Sequence, residues 1–537
     1  MAIVAASIRD PALQIVAGDR LRVELDQAAR RYYYHGWQSW SLAAWGDPGR
    51  PLPVQKPYFL HPMQIDPAWA FHTRPHGSWL GAVEQEDGSV VLLGALGLDA
   101  HVELDGSALN GWYEAGSGDW LVARGEELQV FAAYADELRR RLGHGTHRLE
   151  GGVWCSWYSL YRDIDEQLLQ SVFDGLGDLP FEVLQVDDGW QQAIGDWLPN
   201  SGFPSGMEAM AERIKATGRR AGLWLAPLIA VRSSRLFRDH PDWFLRDERG
   251  RLVSAGFNWG EQLYGLDTTQ PPVQDWLVQL MRRVRGWGFD YLKLDFLYGA
   301  GLPAVRSRPA TREAALREGL QVLRDAMGAD AFFLACGAPI LPALGLCDAL
   351  RVGPDVSSSW ESNRDARLLH NPAIPGGRSA VRTTVNRLWL QPLVIPDPDV
   401  AYFRTYDCGL TAEQKQLLQA LAVICEFRAT SDLPQWLSAP ERKQLHSFLG
   451  ARPRIARLGP RRFRIDGQEL DYDSAAELEQ TGGAWNAIAG AAFGWLANHA
   501  WAVRLDEFMR RGGARKRRRS LHRQIAAAPP GPPARIR

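Results

Sequence analysis

The sequence predicts an α/β fold: a (β/α)₈ TIM barrel flanked by an N-terminal antiparallel β-sandwich and a small C-terminal β domain. Two features point to it. Residues 1–145 are written in short alternating runs broken by Gly, Pro and Asp, whereas residues 146–435 alternate short apolar runs with stretches of helical period. Six or more such strand–helix units argue for a parallel sheet. Closure into a barrel is favoured over an open doubly wound sheet, because no GxGxxG or P-loop fingerprint stands at any strand end.

LRVELD, SVVLLGAL and LQVFAAYA supply the alternating text of the first domain. After GTHRLEGG, VWCSWYS reads as a strand and DIDEQLLQSVFDGLG as its helix, striped by Leu168, Leu169, Val172, Phe173 and Leu176, with Asp163 and Glu166 at capping-box spacing. EVLQVDDGW is the next strand, and MEAMAERIKATG the next helix, with Met207, Met210, Ala211 and Ile214 in register and Gly218 as its stop. AGLWLAP follows as a strand, then a long insertion. PVQDWLVQLMRRVRGWG opens a helix on Pro271 and Pro272 and stripes Val273, Trp276, Leu277, Leu280, Met281, Val284 and Trp287. YLKLDF, TREAALREGLQVLRDAMG, FFLACG and ALRVGPD then read strand, helix, strand, strand, and the barrel closes near VICEFRATSD. RPRIARLGPRRFRIDG suggests a small β domain within residues 436–512, and residues 513–537, basic and Pro-rich, read as a disordered tail.

The 537 residues exceed one core and predict about two to four domains. A formal net charge of −1 gives no field toward nucleic acid or anionic membrane, and no apolar run reaches the roughly 18 residues of a spanning helix. The opening MAIVAASIRDPALQIV lacks the grammar of a signal peptide, so the expectation is a soluble cytoplasmic protein with neither nucleic-acid nor membrane partners. Cys155, Cys336, Cys347, Cys408 and Cys425 are odd in number and without metal-type spacing, which argues against a disulfide framework. The 22 tryptophans are unusually many; flat indoles stack on sugar faces as readily as they fill cores.

Lys293 and Asp295 stand two residues apart in an otherwise apolar strand, so they share one face. Barrel chemistry sits where strands finish, and that face looks into a polar pocket at the barrel mouth. The strand ends supply, in order, Trp154, Trp157 and Tyr158; Asp187, Asp188 and Trp190; Trp224; Lys293 and Asp295; Cys336; Arg351 and Asp355. Paired carboxyls suit glycoside hydrolysis, one attacking or activating water and one protonating the leaving oxygen. Asp295 is the better nucleophile, since Lys293 on its face favours the ionised form. Asp355 follows Gly353-Pro354 on a loop able to reach across the bond; Arg351 would hold it ionised unless the guanidinium mainly orients substrate hydroxyls. Asp187 and Asp188 each accept two or more hydrogen bonds, as discrimination between sugar epimers requires, and Trp190 and Trp224 offer flat walls. Each has a plainer alternative: Asp188 as a helix cap, Lys293–Asp295 as a structural pair, Cys336 as a small buried hydrophobe, Trp154 and Trp157 as core.

In DDGWQ (187–191), LWLAP (223–227), KLDF (293–296), ACGAP (335–339), RVGPD (351–355) and PDPDV (396–400), with YYYHGWQSWS (32–41), the chain resembles the retaining α-galactosidases of the melibiase and raffinose-synthase family. The resemblance implies the same three-domain fold, no metal or organic cofactor, and release of terminal α-linked galactose from small oligosaccharides. It implies Asp295 as nucleophile, Asp355 as acid/base, and Asp187 and Asp188 as ligands of the galactose 4- and 6-hydroxyls. Lys293, Arg351, Cys336, Trp157 and Trp224 would line the same subsite, and Trp37 or Trp40 would close it from the N-terminal domain. The text after about residue 465 departs from the family's terminal sheet. A transglycosylase of the same family, a metal-dependent barrel enzyme and a non-catalytic sugar-binding protein are the alternatives, and the oligomeric state stays open.

Overall fold

A computed structural model describes residues 13–50, 63, 65–69, 72, 74–145, 147–361 and 374–478, together with the backbone of 4–6. The tail expected at 513–537, and the predicted C-terminal domain from 479 onward, lie outside the described residues.

The alternating runs of the first domain join into one continuous, mostly antiparallel ladder of eleven strands among the described residues, ending at Gly118–Gly125 and Gln14–Gly18. Tyr32, Trp79, Leu92, Val102 and Trp120 are wholly buried within it. LQVFAAYA is a correction: it lies in a helix, Glu127–Leu142, not in a strand. Its buried Val130, Phe131, Tyr134, Ala135 and Leu138 recur at intervals of one, three and four, a helical stripe that a short apolar run conceals.

The barrel strands are β1 (Gly152–Cys155), β2 (Phe181–Val186), β3 (Arg220–Leu225), β4 (Tyr291–Leu294), β5 (Phe332–Ala335), β6 (Ala349–Arg351), β7 (Ile395–Asp397) and β8 (Ala429–Thr430). All pair in parallel, in the order 7-6-5-4-3-2-1-8. The ends of this ladder meet where Ala401 N, just past β7, donates to Ala429 O of β8 at 2.8 Å. Register sets side chains of different strands level with one another: Trp224 of β3 is opposite Lys293 of β4, and Arg351 of β6 opposite Asp397 of β7.

Most expected helices form with their stripes inward: Glu166–Leu176, Gly206–Ala216, Pro271–Gly286 and Arg312–Met327. The capping box is a correction. Asp165, not Asp163, caps Glu166–Leu176 by accepting from Leu168 N at 2.8 Å, and Glu166 instead accepts from Ser205 N at 3.1 Å. Asp165 sits immediately before the first helical residue, where the free N–H groups point.

The insertion after β3 is a three-stranded antiparallel sheet, Ile229–Val231, Ser254–Asn258 and Glu261–Gly265. Residues 436 onward open with a helix, Ala439–Gly450, which follows β8 and packs Phe448 on Phe403; the β structure there begins at Ile455. Ile455–Arg457, Arg462–Ile465 and Gln468–Asp471 form a small antiparallel sheet.

A strap from the first domain, Gly36–Ser41, reaches onto the barrel. Ser39 N donates to Ala338 O at 3.0 Å, and Ile340 N to Trp37 O at 3.0 Å, beside the end of β5. Arg387, wholly buried, donates to Gly36 O (2.9 Å), Ser39 O (2.8 Å) and Val352 O (3.0 Å), stitching the strap to the end of β6.

Candidate active site

Lys293 points into the mouth from β4, buried, with Nζ 3.0 Å from Asp187 Oδ2. The ion pair is thus with Asp187, and not the structural pair with Asp295 that stood as the plainer alternative. Burial pulls the lysine pKa down, but Asp187, with Cys155, Cys336 and Asp295, pushes it well above the ordinary value, so the ammonium stays charged. Asp187 Oδ2 also accepts from Gln185 Nε2 at 2.5 Å, and its Oδ1 from Asp188 N at 2.9 Å. That bonding orients Asp187 rigidly before any substrate arrives.

Asp295 ends β4. The next residue, Phe296, turns into the left-handed region (φ 53°), which swings its N–H back onto Asp295 Oδ1 at 2.8 Å. Trp224 Nε1, across the register from Lys293, donates to Asp295 Oδ2 at 3.0 Å. Burial raises the Asp295 carboxyl above the ordinary range and outweighs Lys293, Trp224 and Cys336, all of which favour the ionised form; Asp355 raises it further. Lys293 does favour the ionised form, as expected, but the site is dry enough for desolvation to dominate.

Asp355 is the open carboxylate, its side chain 35% exposed. Arg351 Nη1 holds its Oδ1 at 3.0 Å and is itself buried. Cys336 ties the two halves of the site together. Burial pushes its thiol well up, Asp295 and Asp355 add to that, and Arg351 and Lys293 oppose it. All four charged groups thus lie within electrostatic reach of one sulfur.

Asp188, also buried, accepts from Gln191 Nε2 at 2.5 Å and from Trp259 Nε1 at 2.7 Å. Burial pushes its carboxyl up to about 6. Trp259 was not foreseen: it sits in the insertion after β3, at φ 53°, and no strand-end pattern marks it. Its ring packs on Phe296 (centroids 4.9 Å apart) and lies 6.2 Å from Trp224, walling the Asp295 side of the pocket.

Tyr158, Asp397 and Asp399 also belong to the arrangement, around Arg351. The two aspartates had the same signal as Lys293 and Asp295: alternate charged residues where a strand ends.

The predicted tryptophans divide. Trp224 touches Asp295, and Trp157 is half-buried against Tyr161 (5.3 Å) in the turn after β1. Trp190 is a correction: its indole is wholly buried among Trp197 and Trp287, with Nε1 donating to Trp224 O at 2.9 Å, so it braces Trp224 from behind. Trp154 is likewise enclosed, against Phe173. Trp37 is buried in the domain interface, its Nε1 on Glu313 Oε1 at 2.8 Å. Trp40 reaches the mouth edge-on to Phe296 at 5.0 Å. Gly337, at φ 51°, lies so close to Trp40 and Phe296 N that a Cβ there would meet them at 3.0 and 2.9 Å.

Paired carboxyls at the rim of a (β/α)₈ barrel, walled by indoles, define a glycoside-hydrolase type of site. Similarity searches agree. A family model described as Melibiase matches residues 118–317. TtGalA, an α-galactosidase from Thermus thermophilus solved in complex with p-nitrophenyl α-D-galactopyranoside, is 46% identical over 87% of this chain and 97% of that one, with a TM-score of 0.82. α-Galactosidase AgaA from Geobacillus stearothermophilus is 29% identical over 221 residues, 35% of this chain and 30% of that protein. A crystal structure of AgaA shares the fold at 16% identity and a TM-score of 0.55, over 80% of this chain and 61% of that one. The matched segments span about a third or less of the curated relatives' length. The chain belongs to the melibiase family of α-galactosidases.

Proposed function

We propose that this protein is a retaining α-galactosidase that releases terminal α-linked galactose from small oligosaccharides of the melibiose and raffinose type. The observation that carries this reading is the pair Asp295 and Asp355 at the barrel mouth, one buried and braced by Trp224 and Phe296 N–H, one half-open. Trp224 and Phe296 N–H aim the Asp295 carboxylate, whose oxygen attacks the anomeric carbon as Asp355 gives its proton to the departing oxygen. Water enters on the open side, gives its proton to Asp355 and releases galactose from Asp295. Asp187 and Asp188, fixed by Lys293 and by Gln191 with Trp259, would take the 4- and 6-hydroxyls. TtGalA has also been solved with stachyose, at 45% identity to this chain, which supports an oligosaccharide substrate. All five cysteines are free, as suits a reducing cytoplasm.

Asp295→Asn should lose about a thousandfold or more in turnover of an aryl α-galactoside while keeping its fold. Proton NMR of the wild-type reaction should show α-galactose as the first product. Near-normal turnover by the variant, or β-galactose appearing first, would reject the assignment.

A further inference from the structure

One cation at the mouth faces three carboxylates. Arg351 donates Nε to Asp397 Oδ2 (2.9 Å), Nη2 to Asp399 Oδ1 (3.0 Å), Nη1 to Asp355 Oδ1 (3.0 Å) and, more weakly, Nη1 to the Tyr158 hydroxyl (3.4 Å). Left alone with Arg351, Asp355 would be held ionised, since an arginine beside an aspartate lowers its pKa by about 1–3 units. That is the wrong state for a group that must deliver a proton.

Asp399 is built to remove this effect. Its Oδ1 accepts from Arg351 and from Val400 N (2.8 Å), and its Oδ2 from the Tyr158 hydroxyl and Val356 N (2.9 Å). Four donors hold this carboxylate from both of its oxygens. The residue is buried at φ 80°, a conformation retained against its own cost. Val356 adjoins Asp355, so Asp399 also ties down the loop that carries it. Asp397 is held by one donor on each oxygen, Oδ2 by Arg351 and Oδ1 by Asp399 N (2.7 Å). Two bound anions more than balance one guanidinium.

We propose that Asp399 is a positioning residue that, with Asp397, neutralises Arg351 so that Asp355 can hold the proton it delivers to the leaving oxygen. The inference rests on the reading of Asp355 as acid and base. Burial, with Asp355 and Asp397 nearby, pushes the Asp399 carboxyl up to about 7 against Arg351 and Tyr158, so Asp399 carries its charge on the alkaline side of the profile. The other groups acting on or from Asp355 are Tyr158, Asp295 and Cys336, and Asp399 also acts on Tyr402 and Cys155. Lys293, which acts on Asp295, Cys336 and Cys155, is a second cation of the site; Arg351 is the one hydrogen-bonded to Asp355.

The test is the pH dependence of kcat/KM for melibiose, with full-length wild type, Asp399→Asn and Asp399→Glu. With the charge removed, Arg351 holds Asp355 ionised, and the alkaline limb of Asp399→Asn should move down by about one pH unit or more. Asp399→Glu, which keeps the charge, should leave the limb near its wild-type position. Asp397→Asn takes a negative charge from the same guanidinium and should move the limb the same way, which preserves the test if Asp399→Asn does not fold. An alkaline limb unmoved in the Asn variants, or displaced equally in Asp399→Glu, overturns the proposal. If Asp355→Asn itself cleaves melibiose at a near wild-type rate, the acid/base reading has failed instead.

Discussion

Replacing Asp188 with Asn tests how dry the pocket floor is. Burial moves this carboxyl from the ordinary 3.8 to about 6, against the opposing pull of Gln191 and Trp259. Between those values the native protein keeps the proton while the unfolded chain has lost it. The unfolded state then binds fewer protons, and stability falls as pH rises. The contribution is full below the unfolded value and is lost as pH passes through about 6. At ~1.4 kcal/mol per unit, a displacement of two units makes that loss about 3 kcal/mol. Asn cannot ionise. Its amide meets one of the two donors that Asp188 accepts from, but that mismatch does not vary with pH and drops out of the comparison. Urea unfolding of both proteins, followed by tryptophan fluorescence from about pH 4 to about pH 7.5, gives the difference in stability. Asn minus wild type should grow by about 3 kcal/mol across that range. A difference that stays flat, or shrinks as pH rises, refutes the claim that desolvation governs this residue.

Lys293→Met strands Asp187 as a buried charge without its counter-ion and should cost about 3–5 kcal/mol, seen as a lower urea midpoint and partly recovered by adding Asp187→Asn. Trp224→Phe takes a donor from Asp295 Oδ2, so the carboxyl rises further and the acid limb of kcat/KM should shift to higher pH; a limb that stays or moves down contradicts the role given to that indole.

The architecture was legible because a parallel barrel repeats its own syntax. Apolar runs such as GVWC and FFLA are strands covered on both faces, and Met207, Met210, Ala211 and Ile214 announce a helix by spacing alone. Asp295, Lys293, Asp187 and Arg351 could be placed at the mouth because strand termini are short in sequence and fixed in space. What stayed hidden depends on contacts between distant segments. Which carboxylate Lys293 pairs with is decided by the lateral offset of β2 and β4, 106 residues apart at the pair itself, and no local pattern encodes it. Trp259 comes from an insertion whose turn has no strand-end signature. Trp190 and Trp224 read alike in sequence, but Trp190 lies in the turn after β2 and folds behind β3, whereas Trp224 points from β3 to Asp295. Asp397 and Asp399 were within reach, since PDPDV repeats the alternation that singled out KLDF.

The strap Gly36–Ser41 is fastened by Arg387 to the backbone just beyond Arg351, and it lays Trp40 against Phe296, the residue that follows Asp295. The active cavity is thus a joint product of two separately built modules. Neither can diverge, be exchanged or be deleted without reshaping the other's half, and turnover reports that both have docked.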